Sequence, residues 1–271
     1  MTIRSTLSRL GLALLVLAGS SHVMAAGKCE RLIATGNPDQ PPYLWRDPQQ
    51  PQRLIGASAD LLMELGKALE VKIEVIDAGK RSAAEGDAVS GRVDLLAGSY
   101  LTPARLGQFD FVHPAYLEVP VHVWVQRDKA PLFGRRADLA SHSGLAIGAG
   151  SFSAALAQQV DELKLKRTGK ASDALWQLQQ GKVDYLLLER NAGVALVERL
   201  GLGGELLALE PALGSEPLYL ALSHNSACND PWLRGQLAKK MTEFRAAGLP
   251  QTLLQRNLER WKSQAQAPAI P

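Results

Sequence analysis

Gly91-Arg92-Val93-Asp94-Leu95-Leu96-Ala97-Gly98-Ser99-Tyr100-Leu101-Thr102-Pro103-Ala104-Arg105 sets the pattern that the rest of this 271-residue chain follows. It begins with a turn at Gly91 and Asp94. Leu95 to Ala97 is an apolar run short enough to be a buried parallel strand. Gly98 and Ser99 then make the side chains small and polar, Thr102-Pro103 ends the strand, and Arg105 lies one short turn further on. In an open α/β sheet, ligands bind beyond the carboxyl ends of the strands. At such a place backbone N–H groups, a hydroxyl and a planar guanidinium suit a carboxylate. Taken alone, the stretch fits an ordinary strand end with a surface arginine equally well.

The same grammar returns in Gly181-Lys182-Val183-Asp184-Tyr185-Leu186-Leu187-Leu188-Glu189, 90 positions later. Each copy has glycine, a cation, valine and aspartate before an apolar run. One copy leads to a cation, Arg105, and the other to an anion, Glu189. If each sits at the strand tips of its own lobe and the lobes face each other, the pair can grip a zwitterion.

Composition is that of a folded globular protein, with 46% hydrophobic and 21% charged residues. Residues 1–26 read as a cleaved secretory signal peptide. Arg4 and Arg9 form its basic start, Leu10 to Ala18 its apolar core, and Val23-Met24-Ala25 its cleavage signal, with cleavage after Ala25 or Ala26. Lys28 stands where a lipoprotein signal would need a small residue before Cys29. The mature protein is therefore expected in the periplasm. Losing Arg4 and Arg9 and no acid takes the formal charge from +3 to +1, so nothing points to nucleic acid. Cys29 and Cys228 frame almost the whole mature chain, and export places them in an oxidising compartment. A Cys29–Cys228 disulfide is expected; two free thiols are the alternative, because sequence does not report proximity.

In order, the chain reads Arg31–Thr35 as a strand, a loop over 36–42, Tyr43-Leu44-Trp45, and a helix from Asp60 to Glu70 with leucines at helical spacing. A strand at 71–76 and a helix at 80–90 lead into the first motif, giving β-α-β-α-β. Residues 109–116 read as a loop, and Val119–Val125 as a strand crossing to another lobe. Leu145–Gly148 is a second first-strand. Gly150-Ser151 before the helix at Ala154 is a ready anion site, or else a plain capping turn. Helices are predicted at 172–180, 192–200, 231–247 and 249–261, and strands at 206–209 and 219–222.

The mature chain resembles the family 3 solute-binding proteins, periplasmic receptors typified by the amino-acid binders of ABC importers. The resemblance is carried by Pro41-Pro42-Tyr43, Gly56 with Asp60-Leu61, the two motifs, Thr102 with Arg105, Phe109-Asp110-Phe111 with Pro114 and Tyr116, and it covers nearly all of 30–262. It implies an α/β fold of two lobes, each a wound sheet with flanking helices, joined by two hinge strands and closing on a ligand. The lobes would be 27–117 plus 222–262, and 118–221, with a flexible tail at 263–271. The resemblance also implies that Arg105 clasps a ligand carboxylate, that Gly150-Ser151 supports it from the other lobe, and that Glu189 meets an ammonium. Gly98, Ser99, Tyr100, Thr102 and Tyr43 would line the cleft.

Three departures narrow the ligand. Gln40 stands where an aromatic is usual, Arg81 (with Lys80) where a stacking aromatic is common, and Phe152 replaces a small hydroxyl residue. An aromatic sandwich for a long cationic side chain is missing, so the expectation is a polar or acidic amino acid or another small carboxylate. Lys80 and Arg81 could equally be solvated surface charges. The expected function is capture without catalysis by a monomer, delivering to an ABC permease, with neither metal nor other cofactor. A module reporting to a membrane sensor and a dehydratase on the same scaffold are the alternatives. For the latter, Glu189 is the one carboxylate suited to act as acid.

Overall fold

The computed structural model describes residues 29–148 and 152–266. Its first elements are β1 (Arg31–Thr35), β2 (Asp39–Gln40), β3 (Leu44–Arg46), β4 (Leu54–Ile55), α1 (Ala57–Leu69), β5 (Lys72–Val75), α2 (Arg81–Val89), β6 (Leu95–Tyr100), α3 (Pro103–Leu106) and β7 (Phe109–Phe111). A long strand, β8 (Leu117–Gln126), leads to β9 (Gly144–Ile147), α4 (Ala154–Val160), β10 (Lys166–Thr168), α5 (Ala171–Gln179), β11 (Tyr185–Glu189), α6 (Arg190–Arg199) and β12 (Leu206–Ala208). A second long strand, β13 (Gly214–Ser223), returns the chain to α7 (Pro231–Ala246) and α8 (Leu249–Gln266).

The sheet runs β10-β9-β11-β8-β13-β6-β1-β5, with β12 on β8 and β7 on β13. The strands at its two ends are parallel, as β-α-β windings require. The two long strands in the middle are antiparallel and divide their pairing. The first half of β8 pairs with β13 (Leu117 with Leu218, Val121 with Gly214) and its second half with β11 (Val121 with Glu189, Val125 with Tyr185). The second half of β13 pairs with β6. These strands are therefore the two crossings between lobes. Each carries a proline in their shared ladder, Pro120 opposite Ser215 and Pro217 opposite Glu118. Both fall on non-hydrogen-bonded pairs of this unbroken antiparallel ladder, where a residue without an N–H costs the pairing nothing.

One core packs β1, β6 and the leucines of α1 against α7 and α8. Two others cover the two faces of the β8–β9–β11 region. Helix α8 also packs on α6 and runs to Gln266, past Trp261, because Leu253, Leu258 and Trp261 keep an apolar stripe on the core. The segment Phe109–Phe111, read as loop, is a short strand because its backbone finds β13 as a partner. The predicted strand at 219–222 begins five residues earlier, at Gly214. The predicted signal peptide at 1–26 lies outside the described residues. Among the described residues, no helix is long and apolar enough to cross a membrane.

The doubled motif does the same structural work twice. Gly91 and Gly181 follow the last turns of α2 and α5 at φ of 77° and 68°, the left-handed conformation that ends a helix. Val93 and Val183 are buried beneath. Asp94 Oδ2 accepts the Ile33 N–H at 2.7 Å, and Asp184 Oδ2 accepts the Ser143 N–H at 2.9 Å and its hydroxyl at 2.7 Å. Each aspartate thus ties its own strand to the neighbouring one. Those Ser143 hydrogen bonds hold the Asp184 carboxyl below the usual range.

The Cys29–Cys228 disulfide is present, with Cα atoms 5.6 Å apart, and closes a separation of 199 residues. In the chain-entropy account such a loop stabilises the fold by on the order of 4 kcal/mol. Reduction, or Cys228→Ser, is expected to lower stability by that order in urea titrations, and the unreduced denatured protein should show no titratable thiol. The two motif glycines should differ. A Cβ on Gly91 would lie 2.2 Å from the Asn225 carbonyl oxygen, whereas one on Gly181 meets nothing nearer than 3.9 Å. Gly181→Ala should cost about 1 kcal/mol for backbone conformation alone, and Gly91→Ala about 3 kcal/mol, measured by equilibrium unfolding.

Candidate functional site

Strand β6 ends at Tyr100, and Thr102 turns the chain by capping α3, its Oγ1 accepting the Arg105 N–H at 3.3 Å. This short turn brings Arg105 back over the strand tip. Its Nη1 donates to the Tyr100 carbonyl at 3.2 Å and its Nη2 to Glu85 Oε1 on α2. Arg81 Nε donates to the same Glu85 oxygen at 3.3 Å. The Arg105 side chain is only 12% exposed, so a largely desolvated guanidinium is held in place by one carbonyl and one carboxylate.

On the facing lobe, Glu189 ends β11 and caps α6. Its Oε1 accepts the Asn191 N–H at 2.9 Å and its Oε2 the Ala192 N–H at 2.7 Å. The Tyr43 hydroxyl, from the other lobe, donates to Oε1 at 2.7 Å and accepts from Asn191 Nδ2 at 3.1 Å. Three of the roughly four acceptor sites of this carboxylate are therefore taken. Burial raises the pKa of Glu189 above the ordinary carboxylate value, against the opposing pull of these hydrogen bonds. Burial likewise pushes the Tyr43 hydroxyl up.

A third carboxylate comes from the crossing strand β13. Glu216 is fully buried, and accepts the Ser153 N–H at 2.6 Å and the Ser153 hydroxyl at 3.1 Å. Ser153 caps α4. At this capping residue the N–H and hydroxyl donors are met by the chain's own carboxylate. Burial raises the Glu216 pKa too. Gly150 and Ser151 lie outside the described residues.

Between these groups lies a cavity of about 470 Å³. Of the predicted residues, Gln40, Arg81, Gly98, Ser99, Tyr100, Arg105, Phe152 and Glu189 line it. Tyr43 stands behind Glu189 at 1% exposure, outside the wall, and Thr102 is spent on its cap. Among the described residues, the buried Ser99 hydroxyl has no hydrogen-bond partner. Lys80, singled out beside Arg81, lines the cavity too, and the wall also has members that sequence reasoning missed: Asp39, Glu85 and Lys170, and an aliphatic part including Leu96, Val121, Ile147, Leu187 and Leu218. Spacing offered one clue, since Glu85 stands one helical turn after Arg81. Beside the cavity the lobes touch directly: Trp261 of α8 donates to the Ala195 carbonyl of α6 at 2.8 Å, and the Arg199 guanidinium lies over the Trp261 ring. Among the described residues, no group of histidine, cysteine, aspartate and glutamate side chains could hold a metal ion.

A profile of the bacterial extracellular solute-binding proteins, family 3, matches residues 32–259. No curated protein matches. Among solved structures, a substrate-binding protein of an amino acid ABC transporter, AbpA from Streptococcus pneumoniae Canada MDR_19A bound to L-arginine, superposes with a TM-score of 0.69 at 18% identity, covering 86% of this chain and 96% of that one. A histidine kinase sensor domain with similarity to periplasmic binding proteins gives a TM-score of 0.67 at 20% identity, covering 90% and 99%. The ancestral amino acid-binding protein AncCDT-1, a precursor of cyclohexadienyl dehydratase, gives 0.65 at 20% identity, covering 84% and 96%. At these identities the likeness is one of fold.

The raised pKa of Glu189 has a signed consequence. The native state holds this proton more tightly than the unfolded chain does. The group's stabilising contribution is therefore full below the unfolded pKa of about 4 and is lost as pH rises through the higher folded value. Glu189→Gln removes that titration, while Glu216 titrates in both proteins and cancels. Urea midpoints taken from pH 4 to pH 8 should show the variant gaining on the wild type as pH rises; a constant difference would contradict the assignment.

Proposed function

The chain belongs to the bacterial extracellular solute-binding proteins, family 3, and from that premise we propose that it is exported to the periplasm through residues 1–26. There it captures a small carboxylate-bearing ligand, a polar or acidic amino acid, and passes it as a monomer to the permease of an ABC importer. The observation that carries this reading is Arg105, a largely buried guanidinium at the carboxyl end of a parallel strand, in the wall of a cavity between two lobes. Its planar fork suits a carboxylate in a way that a lysine would not. Glu189, on the opposite lobe, keeps one acceptor site on Oε2 for an ammonium. Lys80, Arg81, Arg105 and Lys170 in the wall outnumber Asp39, Glu85 and Glu189, which favours an anionic or neutral polar ligand over a cationic one. The aliphatic part of the wall meets the ligand's methylene groups.

The same capture step would serve a sensor, and one structural neighbour is a sensor domain. Genes for a permease and an ATPase beside this one would support import. A dehydratase reading requires a carboxyl acid poised over the substrate. Glu189, the residue suited to that role, has most of its acceptor sites engaged in capping α6 and holding Tyr43.

A thermal-shift panel of L-amino acids and small carboxylates should identify the ligand, and calorimetry should then measure it. Arg105→Ala is expected to weaken binding by about 2–5 kcal/mol, at least about tenfold, because the ligand carboxylate loses its desolvated partner. Arg105→Lys should also bind poorly. Unchanged affinity in Arg105→Ala would remove the basis for this reading.

A further inference from the structure

We infer that Glu85 is a placeholder for the ligand carboxylate, released when ligand binds, and that it biases the cleft against ligands bearing a second negative charge. The inference rests on the capture reading above and narrows the ligand from polar or acidic to polar and neutral. Arg105 directs Nη2 at Glu85 Oε1, and Arg81 directs Nε at the same oxygen. All three side chains line the cavity. One carboxylate oxygen thus bridges two cations in the place where an incoming carboxylate would seek them.

Two carboxylates on one edge of a guanidinium repel each other, so the ligand must displace Glu85 from Nη2 or bind without that donor. Displacement is easy for this side chain. Glu85 sits in the middle of a nine-residue helix, its side chain is 36% exposed, and it can swing into water without leaving a buried charge behind. Arg105, 12% exposed, has no such freedom and needs an anion whether or not ligand is present. Glu85 therefore keeps Arg105 oriented in the unliganded protein, at a cost in affinity that every carboxylate ligand bears. A ligand with an additional anion near α2 would also meet the displaced carboxylate as a like charge. Glu85 is a positioning residue, and its own removal should improve binding.

The test is calorimetry with L-glutamine, L-glutamate, L-asparagine and L-aspartate on the wild type, Glu85→Gln, Arg105→Ala and the double variant. Melting of each unliganded protein serves as the folding control. Glu85→Gln should tighten the amides by about tenfold, the release of one charge-assisted hydrogen bond, and should tighten the acids by more. In the Arg105→Ala background the gain for the amides should vanish. That dependence on Arg105 and on ligand charge is not expected of a residue that merely stabilises α2. If Glu85→Gln binds no better than wild type while Arg105→Ala still loses affinity, the placeholder is overturned and the capture reading stands. If Arg105→Ala binds as well as wild type, or no protein binds any of the four, both are overturned together.

Discussion

A carboxylate removed from water must be met by hydrogen-bond donors, and around this cleft that requirement decides where the helices begin. Glu189 meets the first N–H groups of α6, and Glu216 meets Ser153 at the start of α4. A helix start offers unsatisfied N–H groups and the positive end of its dipole, so it is an inexpensive place to keep a buried anion. Burial still raises both pKa values, which means the donors offset only part of the desolvation cost. The two anions tie different parts of the chain together. Glu189 holds Tyr43 of the other lobe, and Glu216 links α4 to a strand that crosses between the lobes.

Much of the fold was legible because its cues are local. The doubled G-x-V-D segment reads as a helix end, a turn and a strand start, and both copies fold that way. Asp94 and Asp184 each bond to the backbone of the neighbouring strand or its approach. The repetition therefore reports a repeated winding, and chemistry enters only where the copies diverge, at Arg105 and Glu189. Short elements were harder to read. Strand β10 has only three residues and β7 lies in a turn-rich stretch, and both exist because a neighbouring strand offers its edge. Such pairing carries no signal in the segment itself.

The cleft was legible in its charged tips and not in its internal partners. Arg105 and Glu189 stand out because a charge at the end of an apolar run is unusual. Glu85 and Glu216 do not stand out. The first looks like any acid on an exposed helix, and the second hides in a strand whose pattern is broken by Pro217. What places them is tertiary: Glu85 is 20 positions from the Arg105 it meets in the cavity wall, and Glu216 is 63 from Ser153, behind that wall. A residue's donors can be counted from its type, but not which acceptor reaches them. The anion site expected at Gly150-Ser151 lies outside the described residues; the neighbouring cap, Ser153, is met by Glu216, a pairing that no local signal announces.

The contacts beside the cavity bear on how strongly a ligand must act. A ligand shifts an equilibrium between lobe arrangements only by the difference in its affinity for them. The Trp261 hydrogen bond to Ala195, the stacking of Arg199 on Trp261 and the Tyr43–Glu189 bond all join the lobes without involving the cavity's contents. An arrangement that breaks the last of these takes from Glu189 one of its three donors, which water must then replace. These contacts therefore favour the joined arrangement before any ligand arrives. The strength of this clasp between the lobes sets how much work is left for the groups at Arg105.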